Sequence, residues 1–89
     1  MVKREPEPDK LVEAICREIP LRRKELGMTV YALSQESGVS QQAIANYEKL
    51  ARQPTIECLI KVAKGLGMTP SQLLSRAEAR IHYPSPPAS

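Results

Sequence analysis

Three times in this chain a hydroxyl residue stands between two apolar ones at one fixed spacing. The instances are Met28-Thr29 before Leu33, Val39-Ser40 before Ile44, and Met68-Thr69 before Leu73. A Ser or Thr so placed accepts a hydrogen bond from an N–H of a helix's first turn. The apolar pair, one residue before the cap and four after it, staples the entering chain to the helix. The third instance adds Pro70 at the first helical position and Gln72 at the third, which completes a capping box. A chain with three such starts so close together has little room for anything but short helices.

The rest of the pattern agrees. Asp9 can cap a first helix carrying Leu11, Val12, Ile15 and Ile19 on one face. Pro20 lacks an N–H, so it should kink that helix or divide it in two before the pattern resumes through Arg22, Arg23 and Lys24. Pro54-Thr55 opens a fourth helix with an expected inward stripe of Ile56, Leu59, Ile60, Ala63 and Leu66. Gly27, Gly38 and Gly67 follow helical stretches where a left-handed residue is wanted. The expected helices are therefore 9–26, 30–37, 41–49, 56–66 and 70–80. With Tyr31, Tyr47 and Tyr83 as the only aromatics, the core must come from small aliphatic contacts, which suits short packed helices. The expectation is one all-α domain, a compact five-helix bundle over residues 9–81. A disordered arm over 1–8, with Pro6 and Pro8 among charges, precedes it, and a disordered Pro-rich tail over 82–89 follows it.

Several function classes fall away. Cys16 and Cys58 are too few for a disulfide framework and lie on apolar stripes, so both read as reduced core thiols. His82 is the sole histidine, which argues against a metal site, and no cofactor motif is present. No apolar run is long enough to span a membrane, and the charged start lacks a signal-peptide core, so the expected compartment is the cytoplasm. Neither a nucleophile–base pair nor a phosphate-cradling glycine loop occurs, so an enzyme is not expected. The net charge is +3, and between Lys10 and Arg76 ten basic residues face six acidic ones. That excess is compatible with a polyanionic partner but does not require one.

Only Gly38 and Val39 separate the second and third helices before the Ser40 cap, so these helices must cross steeply as a helix-turn-helix. Leu33, Val39, Ile44 and Tyr47 then bury the inner faces and leave Gln41, Gln42, Ala45 and Asn46 outward. Here the chain resembles the phage repressor and Cro-type helix-turn-helix family, with its lambda-repressor-like domain. The resemblance runs from about Ile15 to Leu74. It is carried by Leu26-Gly27-Met28-Thr29, Gly38-Val39-Ser40-Gln41-Gln42, Tyr47-Glu48, Pro54-Thr55-Ile56, Leu66-Gly67-Met68 and Gln72-Leu73-Leu74.

The resemblance implies a sequence-specific regulator of transcription, expected to be a repressor, that reads duplex DNA in the major groove with helix 41–49. Carried over by position, Gln41, Gln42, Ala45 and Asn46 are the base-reading candidates, and Ala43 could meet a thymine methyl. A carboxamide's paired donor and acceptor match adenine, at about 1–3 kcal/mol per bidentate contact. Thr29, Ser40, Lys49 and Arg52 are the phosphate-contacting candidates, while Arg22 and Lys24 read as a solvated face. Arg23 and Glu48 match a pair that forms a structural ion pair in related repressors. The family pattern has Gln where Val30 stands, and Asn-Gly-Lys where this chain has Lys49-Leu50-Ala51. One phosphate anchor and one left-handed glycine are thus replaced. Related proteins pair on two half-sites, so a homodimer is expected, with Ala77 and Ile81 as contact candidates. The rival reading is a protein-interaction module, such as the antitoxin of a toxin–antitoxin pair, whose partner would be a toxin.

Overall fold

A computed structural model describes residues 8–81; the readings on residues 1–7 and 82–89 lie outside the described residues. It contains five helices, α1 (Pro8–Glu25), α2 (Val30–Ser37), α3 (Gln41–Glu48), α4 (Ile56–Gly65) and α5 (Pro70–Arg80), with no strand among the described residues.

The hydroxyl caps act as local chemistry requires. Thr29, Ser40, Thr55 and Thr69 each have extended backbone and accept a hydrogen bond from the N–H three residues on. At Thr69 the Gln72 side chain also accepts from the cap's own N–H, at 2.9 Å, closing the box. The stapling pairs meet in the interior, where Met28 packs with Leu33, and Val39 with Ile44, around one cluster.

α1 begins one residue earlier than expected, so Asp9 sits inside its first turn and accepts from Lys10 N–H rather than capping the helix. Pro20 does not divide α1. Both halves are held from outside the helix. Ile15, Cys16 and Ile19 are buried before the proline, and Arg22 and Arg23 are bonded to other elements after it. Packing thus offsets the missing backbone bond.

The core has two parts. Cys16, Ile19, Leu33, Val39, Ile44, Tyr47, Val62 and Leu66 join α1 through α4, and Ile15, Ala63, Leu73 and Ala77 join α1, α4 and α5. α1 packs on α3 and α5, and α2 lies between α3 and α4. The expected stripe of α4 needs correction. Leu59, Ala63 and Leu66 face inward, joined by Val62, but Ile56 and Ile60 are 73% and 47% exposed. The inward arc is centred on Val62 and Ala63, and Ile56 and Ile60 lie at its edge.

Ala77 also needs correction as a candidate contact with a second subunit. It is fully buried against Ile15, Ala63 and Leu73, where α5 meets α1, so no other chain can reach it. Ile81 is half-buried and borders a groove with Lys10, Glu13, Ala14 and Arg17 of α1.

Candidate nucleic-acid interface

The connection from α2 to α3 is built residue by residue. α2 stops at Gly38, whose φ of 77° lies in the left-handed region and whose N–H donates to the Ser34 carbonyl. Val39 then turns inward, 5% exposed, and its N–H donates to the Ser37 hydroxyl. Ser40 caps α3 at once. No slack remains between the two helices, so α3 is aimed by α2.

α3 divides cleanly around its circumference. At 100° per residue, Gln41, Gln42, Ala45 and Asn46 share one arc of about 140°. Ile44 and Tyr47 occupy the other side, 0% and 4% exposed. Gln41 and Gln42 are exposed, and Ala45 and Asn46 half-exposed. The arc presents amides and a methyl and no charge. Ala43, suggested above for a thymine methyl, instead packs against the core, because it falls on the buried side.

Three anchors hold this helix. Arg23 of α1 donates from Nε and Nη2 to the two carboxylate oxygens of Glu48, both at 2.9 Å, and from Nη1 to the Met28 carbonyl at 2.9 Å. The side chains are 13% and 14% exposed, and the carboxylate raises the guanidinium's pKa. One side chain therefore joins α1, the lead-in to α2 and the end of α3. The second anchor is Tyr47. Burial, reinforced by Cys58 of α4, pushes its phenol up to about 12.

The third anchor is the turn after α3. Leu50 N–H donates to the Tyr47 carbonyl and Ala51 N–H to the Asn46 carbonyl, the Schellman pattern. Gly27 and Gly67 close α1 and α4 in the same way with φ of 68° and 71°. At α3 the left-handed position is held by Leu50, with φ 61°. The chain has kept the turn and lost the glycine.

The residues suggested for phosphate lie at the starts of α2 and α3 and after the end of α3. Thr29 and Ser40 are exposed, and their oxygens accept from Ala32 and Ala43 N–H at 2.9 and 3.1 Å. Each hydroxyl proton is left free to be donated. Lys49 and Arg52 are exposed beyond α3. Val30, where the family pattern has Gln, packs against the core and offers no polar contact.

Arg22 is not a solvated residue. It donates to the Leu66 carbonyl at the end of α4 and to Glu25. Sequence reasoning also missed Glu18, which is fully buried in α1 and paired with Arg76 and Arg80 of α5. Arg76 pairs again with Glu25, which extends the network to Arg22. One signal was present: Glu18 lies on the same helical face as Leu11 and Ile15, where an acid needs a partner.

No group of three or more metal-ligating side chains occurs among the described residues, and none of their helices is long and apolar enough to cross a membrane.

A family model described as helix-turn-helix matches residues 21–73. Among solved structures, the P22 c2 repressor protein, in complex with a synthetic operator, is 34% identical; the match covers 70% of this chain and 94% of that one, with a TM-score of 0.61. A point mutant of the restriction-modification controller protein C.Esp1396I is 28% identical over 76% of this chain and 88% of its own, with a TM-score of 0.72. The clp gene regulator ClgR from C. glutamicum is 26% identical over 88% and 97%, also with a TM-score of 0.72. Comparison with curated proteins gives no significant match.

Proposed function

Because this chain belongs to the helix-turn-helix family, we propose that it is a DNA-binding regulator of transcription that reads the major groove with α3 and acts as a repressor. The observation that carries this reading is the division of α3. An uncharged amide face of Gln41, Gln42 and Asn46 is presented outward by a helix whose other face is locked by Ile44, Tyr47 and the Arg23–Glu48 pair. Rigid presentation of carboxamides suits adenine edges, and Ala45 between them lets the helix approach closely.

Thr29 and Ser40 would donate to phosphates flanking the groove, and Lys49 and Arg52 would neutralise others. One domain of this size spans only a few base pairs, so two copies would occupy two half-sites about one helical turn apart. Likeness to a repressor bound to its operator supports the direction of control.

Fluorescence anisotropy with selected duplexes tests this. Affinity should fall steeply with salt, with a log–log slope counting phosphate contacts. Gln42→Ala and Asn46→Ala should each cost about 1–3 kcal/mol on the selected site and relax the preference for adenine there. Lys49→Ala should weaken all sequences alike and lower the slope by about one. Absence of binding at low salt would sink the reading.

A further inference from the structure

We infer that the hollow between the start of α1 and the loop after α3 binds a small zwitterion with an apolar body, an aliphatic α-amino acid. Its use in regulation rests on the DNA-binding reading; the binding itself does not.

The hollow has a volume of about 190 Å³ and lies between Asp9, Val12, Glu13 and Cys16 of α1 and Leu50 and Arg52 of the loop. At about 30 Å³ for each water in the liquid, that is the share of about six waters. A small metabolite fits, whereas drug-sized ligands occupy sites of about 300 Å³ or more.

Charge divides the lining, with Asp9 and Glu13 on the α1 wall and Arg52 on the loop wall. Asp9 accepts from Lys10 N–H, and Glu13 pairs with Arg17 of its own helix at 3.1 Å. Arg52 is exposed and makes no ion pair among the described residues, so the walls are not bridged. A bare cation there would meet the guanidinium, and a bare anion would meet two carboxylates. A zwitterion matches both walls. Its ammonium donates to the carboxylates and its carboxylate accepts from the guanidinium, as charge-assisted bonds. Between them Val12, Leu50 and Cys16 offer apolar surface. Burial and the nearby Glu13 raise the Cys16 thiol's pKa, which keeps it neutral.

Leu50 is a second observation. Its φ of 61° is left-handed, at a turn position that Gly27 and Gly67 fill elsewhere in this chain. A leucine held against its backbone preference, with its side chain on a hollow, is the kind of strain that marks a ligand clamp. Glycine would relax the turn and remove the apolar wall. Arg52 is also among the cations proposed above for phosphate, so a bound carboxylate and a DNA phosphate compete for it.

Isothermal titration calorimetry on the full chain without DNA is the test, with L-alanine, L-valine, L-isoleucine and L-leucine as probes. At least one should bind saturably, at one site per chain. Blocking its carboxylate as the amide, or its ammonium by N-acetylation, should each weaken binding about tenfold or more. Arg52→Gln should weaken the free amino acid and leave the amide unaffected. Glu13→Gln should weaken the free amino acid and leave the N-acetyl form unaffected. Leu50→Gly should lower affinity about fivefold or more with an unchanged helical circular dichroism spectrum. No saturable binding by any probe, blocked forms that bind as well as the free one, or binding indifferent to Arg52→Gln or Leu50→Gly would each overturn the proposal. In the anisotropy assay a saturating amino acid should lower DNA affinity and reduce the log–log salt slope by about one. An unchanged slope would overturn the competition for Arg52. With DNA absent from the calorimetry, the two readings fail separately. An amino acid complex of a chain that ignores DNA sinks the regulator reading, and a chain that binds DNA but no amino acid sinks this one.

Discussion

Leu50 shows how one side chain can be spent against its backbone preference. Its φ of 61° places Cβ close to the following carbonyl, at a cost of about 1–2 kcal/mol that Gly27 and Gly67 avoid in the same turn. The side chain is 41% exposed and recovers only part of that by bordering a hollow with Val12 and Cys16. Leu50→Gly should therefore stabilise the fold by about 1 kcal/mol in urea denaturation, with a matching rise in Tm. A loss of stability instead would mean that what the leucine side chain covers outweighs the strain. The substitution of glycine by leucine was visible in the sequence; that the turn survives unchanged was not, because the two backbone bonds closing it depend on where Asn46 and Tyr47 are held.

Among the elements, the packing of α2 on α4 sets the orientation of α3, and it depends on Gly65. A Cβ built there would lie 2.9 Å from Leu33 Cδ1, 2.9 Å from Ser37 Cβ and 3.1 Å from the Ser37 backbone nitrogen. The leucine methyl can turn aside; Ser37 cannot without moving the end of α2. Gly65→Ala, which would stabilise an isolated helix, should here cost about 1–3 kcal/mol. Since α2 leads into α3 without slack, DNA affinity should fall as well, while the helical signal persists. Unchanged stability in thermal denaturation would show that the two helices separate freely. Nothing local to Gly65 reveals this requirement, because its neighbours there lie about thirty residues away.

Across the whole molecule, α1 and α5 are clamped by charges. Glu25 receives Arg76 and Arg22, and these hydrogen bonds hold its carboxyl down at about 2 from an ordinary 4.5. Because the folded pKa is the lower one, the unfolded chain binds this proton first as pH falls. The clamp's contribution is complete above about pH 4.5 and is lost as pH drops toward 2. Tm should decline over that window, and Glu25→Gln should flatten the decline while lowering Tm near neutrality. Equal acid profiles for the two proteins would exclude Glu25 as its source. Salt should blunt the effect, since Glu25 is open to solvent.

Whatever neighbours along the chain decide could be read from residue order. Hydroxyl caps, apolar staples, the capping box at Thr69 and the left-handed stops act within about five residues, and each was legible in residue order. The steep α2–α3 crossing was legible for the same reason, since the turn is too short for alternatives. Which way the ambiguous faces point depends instead on how the helices pack together. Ile56 and Ile60 match an inward stripe by spacing, yet α2 and α5 take up the other side of α4 and leave them outside. Ala77, small enough for either environment, lies where α1 closes over it. Glu18 is buried because Arg76, 58 residues along the chain, is brought to it by the fold. Periodicity reports that a face is apolar; which partner covers it depends on contacts formed only when all the helices are in place.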